Sequence, residues 1–157
     1  MTSFTLPYIL NPIDLGTAPV KYQKPLSLSE LYRYDTMPQT DLKTGKHIIA
    51  FMSLTCPHCQ KAAYLINLIH KEHPDIPFYL VLNGHETQIP HFFEVTHADS
   101  IPHLFFKHPK EFADLAGNSI PAIYWVNDTT AEFKSVMTYY QLDPVYLEKW
   151  LHGKIKK

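Results

Sequence analysis

The sequence predicts an α/β protein with a central mixed sheet and helices on both faces. Three observations carry that expectation. Apolar runs of strand length alternate with helix-length amphipathic segments, the only two cysteines stand where the first such strand meets the first such helix, and a turn-rich Asn127-Asp128-Thr129-Thr130 separates two late strands. A strand-helix-strand start requires parallel pairing through a covering helix, and the late hairpin adds antiparallel edge strands.

The chain opens with an arm rather than a core element. Residues 1–45 hold five of the 13 prolines and turn signals such as Asn11-Pro12 and Leu15-Gly16, with short apolar pieces between them. Leu26 to Tyr32 suits one helical turn or a strand. Residues 1–40 are therefore expected to form an N-terminal strand and loop extension packed on the core, and residues 41–157 the main domain. Asp41 to Lys46 is a turn that feeds the first core strand, His47-Ile48-Ile49-Ala50-Phe51-Met52-Ser53.

Pro57 suits the first turn of a helix, which runs to about residue 73, where His73-Pro74 stops it. Ala62, Ala63, Leu65, Ile66, Leu68 and Ile69 supply its apolar face. Pro77 to Asn83 is a continuous apolar run, as expected of an interior strand covered on both faces, and Gly84 ends it. A helix over Glu86 to about Thr96 carries Ile89, Phe92, Phe93 and Val95, with Pro90 against it. Pro102 to Phe106 is a short strand or loop, and Lys110 to Ala116 a short helix closed by Gly117. Ile120 to Val126 reads as a buried strand, Ala131 to Tyr140 as its hairpin partner, and Asp143-Pro144 to about Gly153 as a last helix with Val145, Tyr146, Leu147, Trp150 and Leu151 on its apolar side.

Composition narrows the function. At 157 residues with 45% apolar and 13% aromatic content, the chain can bury one sizeable core. A formal net charge of −1, with both signs interspersed, excludes the basic footprint of a nucleic-acid binder. The first residues lack a basic stretch followed by an apolar one, and no run approaches the ~20 apolar residues of a membrane span. The expectation is a soluble protein: cytosolic, or the soluble part of a secreted or membrane-tethered parent. Of the ten histidines, His85, His91, His97 and His103 recur every six residues, which on a helix turns neighbours through about 600°, so they are read as surface groups rather than metal ligands.

The chemistry concentrates at Thr55-Cys56-Pro57-His58-Cys59. A Cys-x-x-Cys that opens a helix after a strand places the first sulfur where unpaired helix N–H groups and the positive dipole end stabilise a thiolate. Cys56 is then the exposed nucleophile with a lowered pKa, and Cys59, one turn in, the resolving thiol. Two cysteines make half of a structural zinc site, and His58 between them is badly placed to complete it, so no metal is assigned there and no cofactor is implied.

These residues resemble the thioredoxin fold, in the style of the TlpA-like thiol-disulfide oxidoreductases. The resemblance covers residues 41–153 and rests on Asp41-Leu42 with Gly45-Lys46, on Cys56-Pro57-His58-Cys59, and on Ile120-Pro121 at the start of the penultimate strand. It implies that Pro121 is cis against the Cys pair and that the Ile120 backbone offers strand-like pairing to a bound peptide. Segments 53–59 and 115–124 also resemble the soluble domain that some bacteria append to DoxX-like membrane proteins, which implies a membrane-tethered parent and an extracytoplasmic place in the cell envelope, with the cytoplasm as the alternative. Protein thiols or disulfides would be the substrates, and an upstream redox partner would recharge the pair.

Departures from the pattern are informative. Thr55 stands where many relatives of the fold have Trp, so the shelf beside the sulfur is smaller and more polar. Ala50 and Ala62 stand where thioredoxins have a buried Asp and TlpA-like proteins a Glu, so no carboxylate base is left for Cys59. Pro57-His58 is the dipeptide of strong DsbA-like oxidants, where a histidine can donate a hydrogen bond or partial positive charge to the Cys56 thiolate and raise the potential. The roughly 35 residues between Asn83 and Ser119 leave no room for the DsbA-like helical insertion. The expectation is a potential from intermediate to oxidising, with the direction unassigned. The alternatives are a module that holds Cu(I) on the two thiolates and a histidine, or a peptide-binding module without turnover.

Overall fold

A computed structural model describes residues 31–32, 41–117, 120–128, 130–135 and 142–153, the backbone alone for 130–135. The elements in chain order are β1 (Lys46–Ser53), α1 (Pro57–Glu72), β2 (Phe78–Asn83), a short 3₁₀ turn (Glu86–Gln88), α2 (Ile89–Thr96), β3 (His103–Phe105), α3 (Pro109–Ala116), β4 (Ala122–Asn127), β5 (Thr130–Ser135) and α4 (Pro144–Leu151). Apart from Leu31 and Tyr32, the expected N-terminal extension lies outside the described residues. So do positions 136–140 of the expected hairpin strand.

Among the described residues five strands lie in the order β3-β2-β1-β4-β5. β1 pairs parallel with β2, and β2 parallel with β3, while β4 runs antiparallel to both β1 and β5. The late hairpin therefore contributes one edge strand, not two: β4 is interior, seated against β1 from Lys46↔Asn127 to Phe51↔Ala122. Its sequence, Ala-Ile-Tyr-Trp-Val, fits that place, since an interior strand is covered on both faces and gains from apolar residues at successive positions. β3 pairs with Leu80 to Leu82 of β2 and, among the described residues, forms the opposite edge.

Alternation along the strands divides the core in two. Ile48, Ala50 and Met52 of β1, Phe78, Leu80 and Leu82 of β2, and Ile123 and Trp125 of β4 face one side, where α1, α2 and α4 bury Ala63, Ile66, Phe92, Leu147 and Trp150 against them. Ile49, Phe51, Tyr79, Val81, Tyr124 and Val126 face the other, covered by Phe112, Leu115 and Ala116 of α3 together with Leu31, Leu42 and Phe106. Helices thus cover both faces, as the sequence predicts. Phe51 meets the edge of Tyr124 at 5.7 Å between ring centroids and lies 5.9 Å from Phe112, and the Tyr124 hydroxyl donates to Ala116 O at 3.2 Å, which fixes the end of α3 on the sheet.

Helix ends follow their prolines. Pro90, which weighs against a helix over 86–96, sits in the first turn of α2, where its missing N–H costs nothing, and the segment before it becomes the 3₁₀ turn. Pro109 opens α3 in the same way, one residue before the expected start. The apolar faces are narrower than the sequence suggests. Leu68 is 42% exposed, Val95 40%, and Val145 and Tyr146 are also exposed, because each helical residue turns the side chain by about 100° and only one side can meet the sheet.

Two clasps hold the start of β1. Gly45 donates its N–H to Asp128 Oδ1 at 2.8 Å and accepts the Asp128 N–H at 2.8 Å, joining the turn before β1 to the β4–β5 turn. Its φ of 82° lies in the left-handed region that favours glycine. Lys46 Nζ donates to the carbonyls of Trp150 and Leu151 at 2.7 and 3.1 Å and sits over the Trp150 ring, so one ammonium satisfies the last turn of α4.

Candidate active site

β1 ends at Ser53, the chain turns through Leu54 and Thr55, and α1 begins. Leu54 N–H donates to Asn83 O and Cys56 N–H to Ser53 O, so the turn is pinned to the C-terminal ends of β1 and β2. The Gln60 side-chain amide donates to Leu54 O at 2.9 Å and braces the same turn from inside the helix. Pro57 occupies the first helical turn with no N–H to satisfy.

Cys56 is the N-cap residue of α1, with extended φ and ψ of −81° and 119°. Its sulfur takes the place of the usual Ser or Asp oxygen and accepts the Cys59 N–H at 3.3 Å. The two sulfurs differ in setting. Cys56 is half-buried and reachable, whereas Cys59 is fully buried on the inner side of α1, and both are free thiols. Burial, then a side-chain hydrogen bond with Cys56, pushes the Cys59 thiol well above its ordinary value, although the Ser53 N–H, 3.4 Å from Cys59 Sγ, works against that shift.

Thr55, Pro57 and His58 are exposed around the reachable sulfur. Among the described residues no hydrogen bond joins His58 to Cys56, and Cys56, Cys59 and His58 do not converge as metal ligands. Ala50 and Ala62 are both buried on the α1 side of the sheet, so the positions that could carry a base toward Cys59 hold methyl groups.

Ile120 and Pro121 arrive from the other direction. β4 begins at Ala122, opposite Phe51, so continuing the antiparallel register brings Pro121 and Ile120 beside the end of β1, the end from which the Cys-bearing turn departs. The Ile120–Pro121 peptide is cis, Pro121 is buried, and Ile120 is half-buried and packs, like Cys56, on the α1-side core. The structure therefore gathers Thr55, Cys56, Pro57, His58 and Cys59 on one turn, with Ile120-Pro121 at the same sheet end. Sequence reasoning missed the Ser53 amide and Gln60. The second had a readable signal, since Gln60 lies one helical turn after Cys56, where a side chain can reach back to the preceding loop.

No protein-family model matches the chain, and no curated protein matches it in sequence. Solved structures do match in shape. A secreted Mycobacterium tuberculosis disulfide oxidoreductase homologous to E. coli DsbE superposes with a TM-score of 0.58 at 15% identity, over 84% of this chain and 98% of that one. The thioredoxin domain of a thiol-disulfide oxidoreductase from Bacteroides vulgatus gives 0.62 at 14% identity, over 81% and 91%. A thiol:disulfide interchange protein from Bacteroides sp. gives 0.57 at 16% identity, over 83% and 86%. With its parallel β1–α1–β2 unit, its antiparallel β4–β5 hairpin and its Cys pair at the head of α1, the chain has the thioredoxin-like fold found in thiol-disulfide oxidoreductases.

Proposed function

We propose that the protein is a thiol-disulfide oxidoreductase acting on protein thiols and disulfides through Cys56 and Cys59. The observation that carries this reading is the asymmetry of the pair: a reachable sulfur at a helix N-terminus with a backbone N–H on it, and a buried sulfur that keeps its proton. Cys56 attacks one sulfur of a substrate disulfide. That S–S bond breaks, the leaving sulfur departs as a thiolate, and a mixed disulfide forms. Cys59 then gives up its proton and attacks Cys56 Sγ, releasing the second substrate sulfur. The substrate gains two electrons and the protein is left with a Cys56–Cys59 disulfide. Run backwards, the same steps oxidise a dithiol.

The Cys59 N–H and the N-terminal end of α1 stabilise charge on Cys56 Sγ as it attacks or leaves. His58 adds its partial positive charge from the exposed side of the turn, and Thr55 forms the polar shelf. The Ile120 backbone pairs with the substrate peptide next to the sulfur, beside Pro121, which has no N–H to offer. With Ala50 and Ala62 in place of acids, the Cys59 proton passes to the departing thiolate or to water. The reading extends to an extracytoplasmic place in the bacterial cell envelope on a membrane-tethered parent, supported by the secreted status of one structural neighbour; among the described residues no helix is long and apolar enough to cross a membrane. An upstream redox partner recharges the pair, because each turnover leaves the Cys56–Cys59 couple in the opposite redox state.

The test is trapping. Cys59→Ser should accumulate covalent adducts with protein substrates that thiol reductant releases, and Cys56→Ser should accumulate none. Equal adduct yields from the two variants would overturn the assignment of roles.

A further inference from the structure

At the opposite end of α1 from the Cys pair, about 24 Å along the helix, four chemistry-bearing side chains converge. His73 caps the C-terminus of α1 and Asp75 follows it in the loop to β2, while Glu148 lies in the last turn of α4 and His152, four residues on, is that helix's C-cap. The Asp75 carboxylate, Glu148 carboxylate and His152 imidazole each present a ligand atom, and these atoms all lie within 4.8 Å of one another. His152 Nε2 is 3.2 Å from Glu148 Oε1 and 3.6 Å from Asp75 Oδ2.

We propose that Asp75, Glu148 and His152 form a binding site for a zinc-class divalent cation that ties α4 to the α1–β2 loop. Bonds of about 2.1 Å in a tetrahedron put neighbouring ligand atoms about 3.4 Å apart, and the two distances from His152 Nε2 bracket that spacing. One imidazole with two carboxylates is a ligand set zinc accepts, with the fourth position left to water. Two ligands one turn apart on a helix face the same way, so α4 presents Glu148 and His152 together. The second oxygen of Glu148 is held separately: His73 Nδ1–H donates to Glu148 Oε2 at 3.1 Å, which leaves Oε1 directed at the site and makes His73 a positioning residue. Glu148 is also the least exposed of the three ligands, at 25%. The site is independent of the thiol chemistry.

The experiment uses the full untagged chain carrying Cys56→Ser and Cys59→Ser, which removes the thiols as competing ligands. Zinc chloride is titrated calorimetrically, and the thermal midpoint is read with zinc and with EDTA. The expected result is one equivalent of zinc bound with a rise in midpoint, and no rise with magnesium. His152→Ala and Asp75→Asn should each weaken zinc binding more than about tenfold, and His73→Phe by about tenfold, the range found for groups that orient a ligand. All three should unfold in EDTA close to the parent, since the side chains are partly or largely exposed; Glu148→Gln repeats the test should one of them unfold early. A parent that binds no zinc would overturn the proposal in favour of an ion-pair cluster. Binding unchanged in His152→Ala and Asp75→Asn would overturn it in favour of scattered surface histidines.

Discussion

The amide of Cys59 donates to Cys56 Sγ at 3.3 Å, so the first turn of α1 aims a backbone N–H at the sulfur of its own N-cap residue. The two cysteines are thereby unequal before any substrate arrives. One is the acceptor at the helix mouth, and the other is the buried donor behind it.

Alkylation should report that inequality. In the native reduced protein, iodoacetamide at neutral pH should modify Cys56 about a hundredfold faster than Cys59, which is both inaccessible and held protonated. Peptide mass analysis over time gives the ratio. Comparable rates at the two sulfurs would mean that the helix start opens in solution.

The same burial makes stability depend on pH. Cys59 is raised above its ordinary value of 9.0, so the unfolded chain loses that proton first as pH climbs. Stability of the reduced protein should hold below about pH 9 and decline above it, and denaturant titrations of Cys59→Ala should lack that part of the decline. An identical alkaline slope in both proteins would contradict the assignment.

Lys46→Met should lower stability by about 1.5–3 kcal/mol, the range for hydrogen bonds that involve a charged group, because the ammonium that satisfies the Trp150 and Leu151 carbonyls is lost while the stem's packing is kept. Urea denaturation measures it. A change under a few tenths of a kcal/mol would show that water replaces the ammonium at no cost.

Gly84→Ala tests the wall behind the Cys turn. Gly84 has a φ of 150°, and an added Cβ would lie 3.1 Å from Leu54 Cβ and 3.0 Å from Gln88 Oε1. Leu54 is buried and directly precedes Thr55 and Cys56, so it cannot yield without moving the turn. The expected cost is about 1–3 kcal/mol, with a change in Cys56 alkylation rate as the local readout.

Much of this was legible in the sequence. Continuous apolar runs marked β1, β2 and β4 because interior strands are covered on both faces, and the order of elements gave the parallel start. Pro57 after Cys56 marked the helix start, and with it which sulfur is reachable. The order of strands in the sheet was not legible: an apolar run marks β4 as covered on both faces, but nothing local tells it that its partner will be β1. Nor does spacing reveal which of Leu65, Leu68 and Ile69 faces the core, since that is set by how α1 rotates against the sheet. Asp75 and His152 were beyond sequence reasoning for the same reason, being brought together only by the packing of α4 against the end of α1.

The most direct test of the central claim is the equilibrium potential of the Cys56–Cys59 couple in glutathione buffers, on protein stripped of metal. The account predicts an intramolecular disulfide with a two-electron potential between about −120 and −230 mV, where each 30 mV corresponds to about 1.4 kcal/mol. Failure to form the intramolecular disulfide across that range, with mixed glutathione adducts in its place, would contradict it.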